Sequence, residues 1–390
     1  MSFIRTSLTA FAAIILLSLA ACTTVPPKPE PSPVPAQKPG TEPVAQTLQK
    51  SSFTAMPGWD KDALREAWPA FMNSCATLIK RSDWRAACNA AGQVNGDDDD
   101  AVRSFFEANF IPYKVFNGDG TDSGLITGYY EPLLRGARKR GGPYQTPLYR
   151  TPDDMLTIDL SSVYPDLKNM RLRGRLAGNK VVPYYTRAEL LQSGALNGKE
   201  LVWVDDPVEA FFLQVQGSGR VYLSDSKETI RVAYADQNGQ PYKSIGRYLV
   251  DKGEMQLSQA SAQGIKAWVA ANPSRQNELF NANPSFVFFK EEKIADPTKG
   301  PKGALGVPLT GQRSIAIDPQ HLPLGAPVFL DTTQPNSDTL LQRLVVAQDT
   351  GGAIRGAVRA DYFWGSGSEA GEKAGAMKQR GMMWVLLPRP

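Results

Sequence analysis

This 390-residue sequence holds one histidine, three cysteines and a formal charge of only +4, and each shortage excludes a class of chemistry. With His321 alone, a multi-histidine zinc site such as H-E-x-x-H is impossible, and a histidine-based triad has a single candidate base; we read His321 as structural. Cys22, Cys75 and Cys88 cannot build a four-cysteine zinc site, and no C-x-x-C is present, so no metal and no cofactor is expected. The 43 basic residues barely exceed the 39 acidic ones, too small a field to neutralise a phosphate backbone, which argues against nucleic acid as a partner. No G-x-S-x-G elbow exists, because Gln216 stands where Gly217-Ser218-Gly219 would need a glycine. The segment Gly365 to Ala370 fits G-x-G-x-x-A, but no βαβ unit with an acidic residue about twenty positions on surrounds it. What remains is a chain 42% hydrophobic, enough to pack a core.

The first residues carry an address. Arg5 supplies a charge and Leu8 to Leu19 an apolar stretch shorter than the roughly 20 residues that span a bilayer. Leu19-Ala20-Ala21-Cys22 follows at once. Residues 1–21 thus resemble a bacterial lipoprotein signal, which implies cleavage before Cys22, acylation of that cysteine and anchoring in a membrane. An ordinary cleaved secretory signal is the other reading. Several acyl chains hold where one would not. By the same resemblance Thr23, in place of an aspartate, favours the outer membrane of a Gram-negative bacterium, with the chain facing the periplasm. Residues 22–52 read as a tether: eight prolines lie between Pro26 and Pro43 with no hydrophobic period. At about 3.1 Å per residue in polyproline geometry, the stretch from Thr23 to Lys50 reaches roughly 80 Å.

An oxidising compartment makes a Cys75–Cys88 disulfide plausible, joining predicted helices over Lys61–Lys80 and Asp83–Ala91; two free buried thiols are the other reading. The run Asp97 to Asp100 lacks the ligand spacing of an EF-hand and reads instead as the N-terminal cap of a helix bearing Val102, Phe105, Phe106 and Asn109. From Val115 onward, short β-branched or aromatic runs alternate with Gly, Pro and Asn clusters. Strands are predicted at 124–130, 180–185, 201–204, 210–216, 220–223, 229–234, 314–317, 326–330, 344–348 and 383–387, with one helix over Ser258–Ala271.

Four segments combine aromatics, glycines and hydrogen-bonding groups: Ile126 to Pro132, Phe212 to Arg220, Gln348 to Ile354 and Arg359 to Gly365. A sugar has apolar faces and a polar rim, and aromatic rings with amides around them are suited to it. Glycines beside the rings let a backbone approach a bulky ligand. Asp349 and Asp361 each end an apolar run, and a carboxyl beside apolar walls keeps its proton to higher pH, as a general acid must.

Together these residues resemble the membrane-bound lytic murein transglycosylase A family. The resemblance rests on Thr127-Gly128-Tyr129-Tyr130-Glu131-Pro132, Phe211 to Gly219, Val307-Pro308-Leu309-Thr310 with Ile317-Asp318-Pro319, and the stretch from Gln348 to Gly365. It implies a mainly β fold: a double-psi β-barrel from residues 53–132 and 288–390, a second β-barrel inserted at 133–287, and helices near the start. It implies peptidoglycan glycan strands as partner and substrate, and Asp361 as the catalytic aspartate with Asp349 in support. Thr127, Tyr129, Tyr130, Gln214, Gln216, Gly217, Ser218, Asp318, Tyr362 and Trp364 would line the glycan groove. The implied reaction cleaves the β-1,4 bond after N-acetylmuramic acid without water, leaving 1,6-anhydro ends. Two alternatives stay open on the residues alone: a muramidase using both aspartates as acid and base, or a non-catalytic wall-binding lipoprotein.

Overall fold

The computed structural model describes residues 47–167 and 170–390. The signal, Cys22 and the tether as far as residue 46 lie outside the described residues.

After a short strand β1 (Leu48–Lys50) come α1 (Trp68–Leu78), α2 (Ser82–Ala91) and α3 (Asp99–Asn109). In α1, Trp68, Phe71, Cys75 and Leu78 recur every three or four residues and are buried. A disulfide joins Cys75 of α1 to Cys88 of α2. The acidic run acts as a cap: the Asp98 side chain accepts from the Asp100 and Ala101 amides, and Asp99 and Asp100 occupy the first turn of α3. Strands β2 (Phe110–Val115) and β3 (Gly124–Glu131) follow.

A long insertion leaves and returns to this frame. Its strands are β4 (Leu133–Ala137), β5 (Thr146–Tyr149), β6 (Leu156–Thr157), β7 (Arg173–Ala177), β8 (Lys180–Pro183), β9 (Glu200–Val204), β10 (Gly219–Leu223), β11 (Thr229–Gln237) and β12 (Val287–Glu292). Six of them form a sheet in the order β12-β11-β10-β4-β9-β5, and β6-β7-β8 form a smaller one. The helices are α4 (Arg187–Ser193), α5 (Pro207–Gln216), α6 (Ile245–Asp251), α7 (Ala262–Ala271) and α8 (Gln276–Asn281). Leu134, Val202, Leu213, Val221, Val232 and Phe289 pack between the large sheet and α5.

The strand predicted at 210–216 is a helix. Apolar runs of this length do not distinguish a buried strand from a buried helix; the ends decide. Asp206 accepts from the Val208 and Glu209 amides, Pro207 sits in the first turn, and Gly217 closes the helix at φ 86°. Nor does the sequence pattern predict α4, α6 or α8.

The chain then supplies β13 (Ser314–Ile317), β14 (Pro327–Thr333), β15 (Leu340–Asp349), β16 (Arg359–Ser366), α9 (Ser368–Ala376) and β17 (Lys378–Pro388). The hydrogen-bonded neighbours run β17-β14-β15-β13-β16-β3, and β3 pairs with β17 again, so six strands close on themselves. A closed ring leaves no edge among its members. Ile126, Ile315, Ile317, Phe329, Val345 and Trp384 fill it and continue into Trp68, Phe71 and Phe106 of the helices. A buried ion pair fixes that cap: Arg313 donates to both carboxylate oxygens of Asp62 at 2.9 Å. The segment that fitted G-x-G-x-x-A is the turn from β16 into α9.

The two sheets join where β3 ends and β4 begins, one residue apart. Glu131 is fully buried there and accepts from Arg220 Nε at 2.8 Å, Arg231 Nε at 2.5 Å and Ser366 Oγ at 2.8 Å. Both arginines belong to the inserted sheet, Ser366 and Glu131 to the barrel, so a charged knot ties the two together.

Candidate active site

Strand register brings the aspartates to one row. Asp361 on β16 stands opposite Thr127 of β3 on one side and Ala316 of β13 on the other, and Ala316 stands opposite Asp349 of β15 across a bulge. Two strand spacings put the aspartate Cα atoms roughly 10 Å apart. Side chains alternate along a strand, so Asp361 and Phe363 share a face with Thr127 and Tyr129. Phe363 and Tyr129 pack with Leu309, Ala316 and Ile354 as the apolar floor.

The same alternation corrects two sequence expectations. Tyr362 and Trp364 point to the opposite face, into the barrel core, and the Tyr362 hydroxyl donates to the Gln312 carbonyl at 2.8 Å. Tyr362 is fully buried. They are core side chains and do not line a groove.

Asp361 is half-buried. Its Oδ1 accepts from Thr127 Oγ1 at 2.6 Å, and Thr127 Oγ1 itself accepts from Arg359 Nη2 at 2.9 Å. Among the described residues no group donates to Asp361 Oδ2, yet it is not sealed from solvent. Burial pushes the Asp361 carboxyl above the ordinary range; the Thr127 hydrogen bond and the Arg359 charge pull against that, and the Asp349 charge adds a smaller upward push. The group therefore keeps its proton to higher pH than a free carboxyl.

Asp349 is held more tightly. Oδ1 accepts from the Ala304 and Thr350 amides, each at 2.9 Å, and Oδ2 accepts from Tyr129 Oη at 3.1 Å. Burial raises its carboxyl too, opposed by those three donors and by the charge of Arg171. Arg171 comes from the inserted part and donates to Thr350 Oγ1 at 3.0 Å. One residue back, Gln348 is fully buried and faces the other way. It accepts from Ser314 Oγ and donates to the Ala70 carbonyl and Ser74 Oγ of α1, which seats this end of β15.

The other anticipated residues are dispersed in role. The Gln216 side chain accepts from the Tyr130 amide at 3.0 Å, linking the end of α5 to β3. Tyr130 packs against Gly371 of α9, on the face away from Tyr129. The Gln214 oxygen is engaged inside the insertion by Arg187 Nη2 at 2.9 Å and the Val287 amide at 3.3 Å. Gly217 and Ser218 form the turn between α5 and β10. Asp318 is buried and accepts from the Gly356 amide at 3.0 Å, pinning the loop between Asp349 and Arg359. Sequence reasoning missed Arg359, whose place two residues before Asp361 on a strand was the available signal. It also missed Ala304, whose backbone amide leaves no trace in residue type.

Among the described residues no cluster of three or more His, Cys, Asp or Glu side chains is arranged to hold a metal ion. The site can donate and accept one proton at Asp361 Oδ2 beside an ordered floor.

Comparison with known proteins identifies relatives of the chain. Residues 125–290 match the family described as the MltA specific insert domain, and residues 313–387 the 3D domain. Membrane-bound lytic murein transglycosylase A of Escherichia coli K12 is 35% identical over 296 residues, covering 74% of this chain and 72% of that one. Among solved structures, the lytic transglycosylase LtgG of Burkholderia pseudomallei is 51% identical, with a TM-score of 0.59 over 89% of this chain and 96% of that one. E. coli MltA with bound chitohexaose is 28% identical, with a TM-score of 0.66 over 89% and 96% of the two chains.

Proposed function

The chain belongs to the membrane-bound lytic murein transglycosylase A family, and on that premise we propose that Asp361 alone performs the acid and base steps of glycan cleavage, leaving 1,6-anhydromuramoyl ends. The enzyme is a lytic murein transglycosylase, a lyase acting on peptidoglycan. The observation that carries the finer reading is the half-buried Asp361, with its pKa raised by burial, one oxygen held by Thr127 and the other free.

Protonated Asp361 donates from Oδ2 to the glycosidic oxygen between N-acetylmuramic acid and N-acetylglucosamine. The bond to the anomeric carbon breaks, its electrons stay with the leaving oxygen, and positive charge develops on the muramoyl ring. The Asp361 carboxylate then takes the proton of the C6 hydroxyl, whose oxygen closes on the anomeric carbon. Asp361 ends protonated and no water is consumed. Nucleophile and electrophile belong to one sugar, so attack is intramolecular and gains an effective molarity of about 10⁵ M or more over a free nucleophile. Asp349 serves here as architecture, gathering the Tyr129 hydroxyl and two backbone amides beside the acid.

The glycan strand would lie between the six-stranded barrel, which we read as double-psi with bounds 53–132 and 288–390, and the insertion at 133–287. The chain would be anchored through acylated Cys22 to the outer membrane, facing the periplasm, with residues 22–52 as its tether. An Asp361→Asn variant tests the assignment: it should bind purified sacculi and release nothing, and unchanged turnover would remove Asp361 from the catalytic role.

A further inference from the structure

Arg359 is half-buried and forms no ion pair with any carboxylate of the described residues, which is a costly state for a guanidinium unless its charge has a use. Its Nη1 donates to the backbone carbonyls of Ala360 and Leu125, the latter at 3.3 Å, which fixes the plane of the group. Its Nη2 is left to donate to Thr127 Oγ1 at 2.9 Å. A hydroxyl has one proton. With a lone pair of Oγ1 occupied by the Arg359 donor, the Thr127 proton points the other way, to Asp361 Oδ1 at 2.6 Å.

We propose that Arg359 is a positioning residue that acts through Thr127: it orients the threonine proton onto Oδ1, so that the acidic proton of Asp361 resides on Oδ2, the oxygen free for the glycan. An oxygen that is already accepting a short hydrogen bond is the poorer place for a second proton, so the neutral acid is a single species aimed at the substrate. When that proton has left, the new carboxylate finds the Thr127 hydrogen bond in place and the Arg359 charge behind it. No part of the site reorganises at that moment. The relay rests on the assignment of Asp361 as the acid made above.

The chargeable groups around Asp361 are Arg359 on its own strand, Tyr129 on β3, Asp349 on β15 and, opposite Thr127, Lys378 on β17; α9 packs on the Trp364 face of β16 with Glu369, Glu372 and Lys373, and β13 contributes none between Ser314 and Ile317. Removing Arg359 takes away a cation that favours the Asp361 carboxylate, so the pKa of Asp361 rises. General-acid activity is lost as pH climbs through that pKa, so the alkaline limb of kcat moves to higher pH.

The test is steady-state turnover of purified sacculi across pH by the full chain and by Arg359→Met, Arg359→Lys, Thr127→Val and the Arg359→Met/Thr127→Val double variant. Arg359→Met should lower the plateau of kcat by about tenfold or more, with KM within twofold and the alkaline limb moved up. Arg359→Lys, which keeps a charge and a donor, should recover part of the loss. The double variant should be no slower than Thr127→Val alone, because the arginine works through the threonine. Losses that multiply in the double variant, or an Arg359→Met enzyme with unchanged kcat and an unmoved limb, would overturn the relay. Asp361→Asn run alongside separates the two ideas: if it retains turnover, the acid assignment itself has failed.

Discussion

Glu131 and Asp361 are carboxylates on neighbouring strands of one barrel, and their surroundings treat them in opposite ways. Glu131 is wholly enclosed and receives two guanidinium groups and a hydroxyl. Asp361, half-buried, receives a single hydroxyl among the described residues, and none of their guanidinium groups reaches it directly. A buried charge is tolerated when it is paired and hydrogen-bonded, and otherwise its protonation shifts. The junction is therefore held by a carboxylate paired with two guanidinium groups, while the site holds a carboxyl poised to keep its proton. Direct contact with guanidinium groups, which Glu131 has and Asp361 lacks among the described residues, separates the two carboxylates.

Changes at the two positions should diverge accordingly. The largest effect belongs to Asp361→Asn, which should lower release of glycan fragments by about 10³-fold or more while sedimentation with sacculi persists. Glu131→Gln should instead cost folding stability, about 3–5 kcal/mol in urea titrations, because Arg220 and Arg231 lose their counter-charge. If Glu131→Gln were as stable as the parent, the junction would not depend on that charge. Smaller again, the Cys75→Ser/Cys88→Ser pair should lose about 2–3 kcal/mol in the same assay, by freeing a short loop in the unfolded chain, with kcat unaffected. Tyr129→Phe removes one donor to Asp349 and should cost about 1 kcal/mol, a modest fall in kcat reporting how far the floor supports the acid.

The subtlest contrast is in pH dependence. The pKa of Asp361 is raised on folding, so the native state binds more protons than the unfolded chain. Its contribution is therefore complete below the unfolded pKa and is lost as pH rises through the folded one. Asp361→Asn, neutral at every pH, should have a melting temperature that gains on the parent between acid and neutral pH. A constant difference would mean that Asp361 is no more reluctant to ionise than an exposed aspartate.

Much of this is legible in the sequence. Alternating apolar runs located most barrel strands, and the acidic run announced the start of α3 because capping is a local effect. Tyr129, Asp349 and Asp361 stand out by residue type and Thr127 through the family resemblance, and hydrogen bonds join Thr127 to Asp361 and Tyr129 to Asp349. The failures share a cause: Tyr362 and Trp364 looked like sugar platforms because aromatics beside glycines carry no sign of which face of the strand they occupy. Segment 210–216 looked like a strand because its helix is written in Asp206, Pro207 and Gly217, at the ends, and not in its apolar middle. Arg359 and Glu131 could be understood only once distant segments were paired, since their partners lie more than eighty residues away in the chain.

The central claim, one aspartate and no water, is tested most directly by mass spectrometry of the muropeptides released from purified sacculi. The account predicts muramoyl ends in the 1,6-anhydro form. Products heavier by one water, with reducing ends, would contradict it and point to hydrolysis by the aspartate pair.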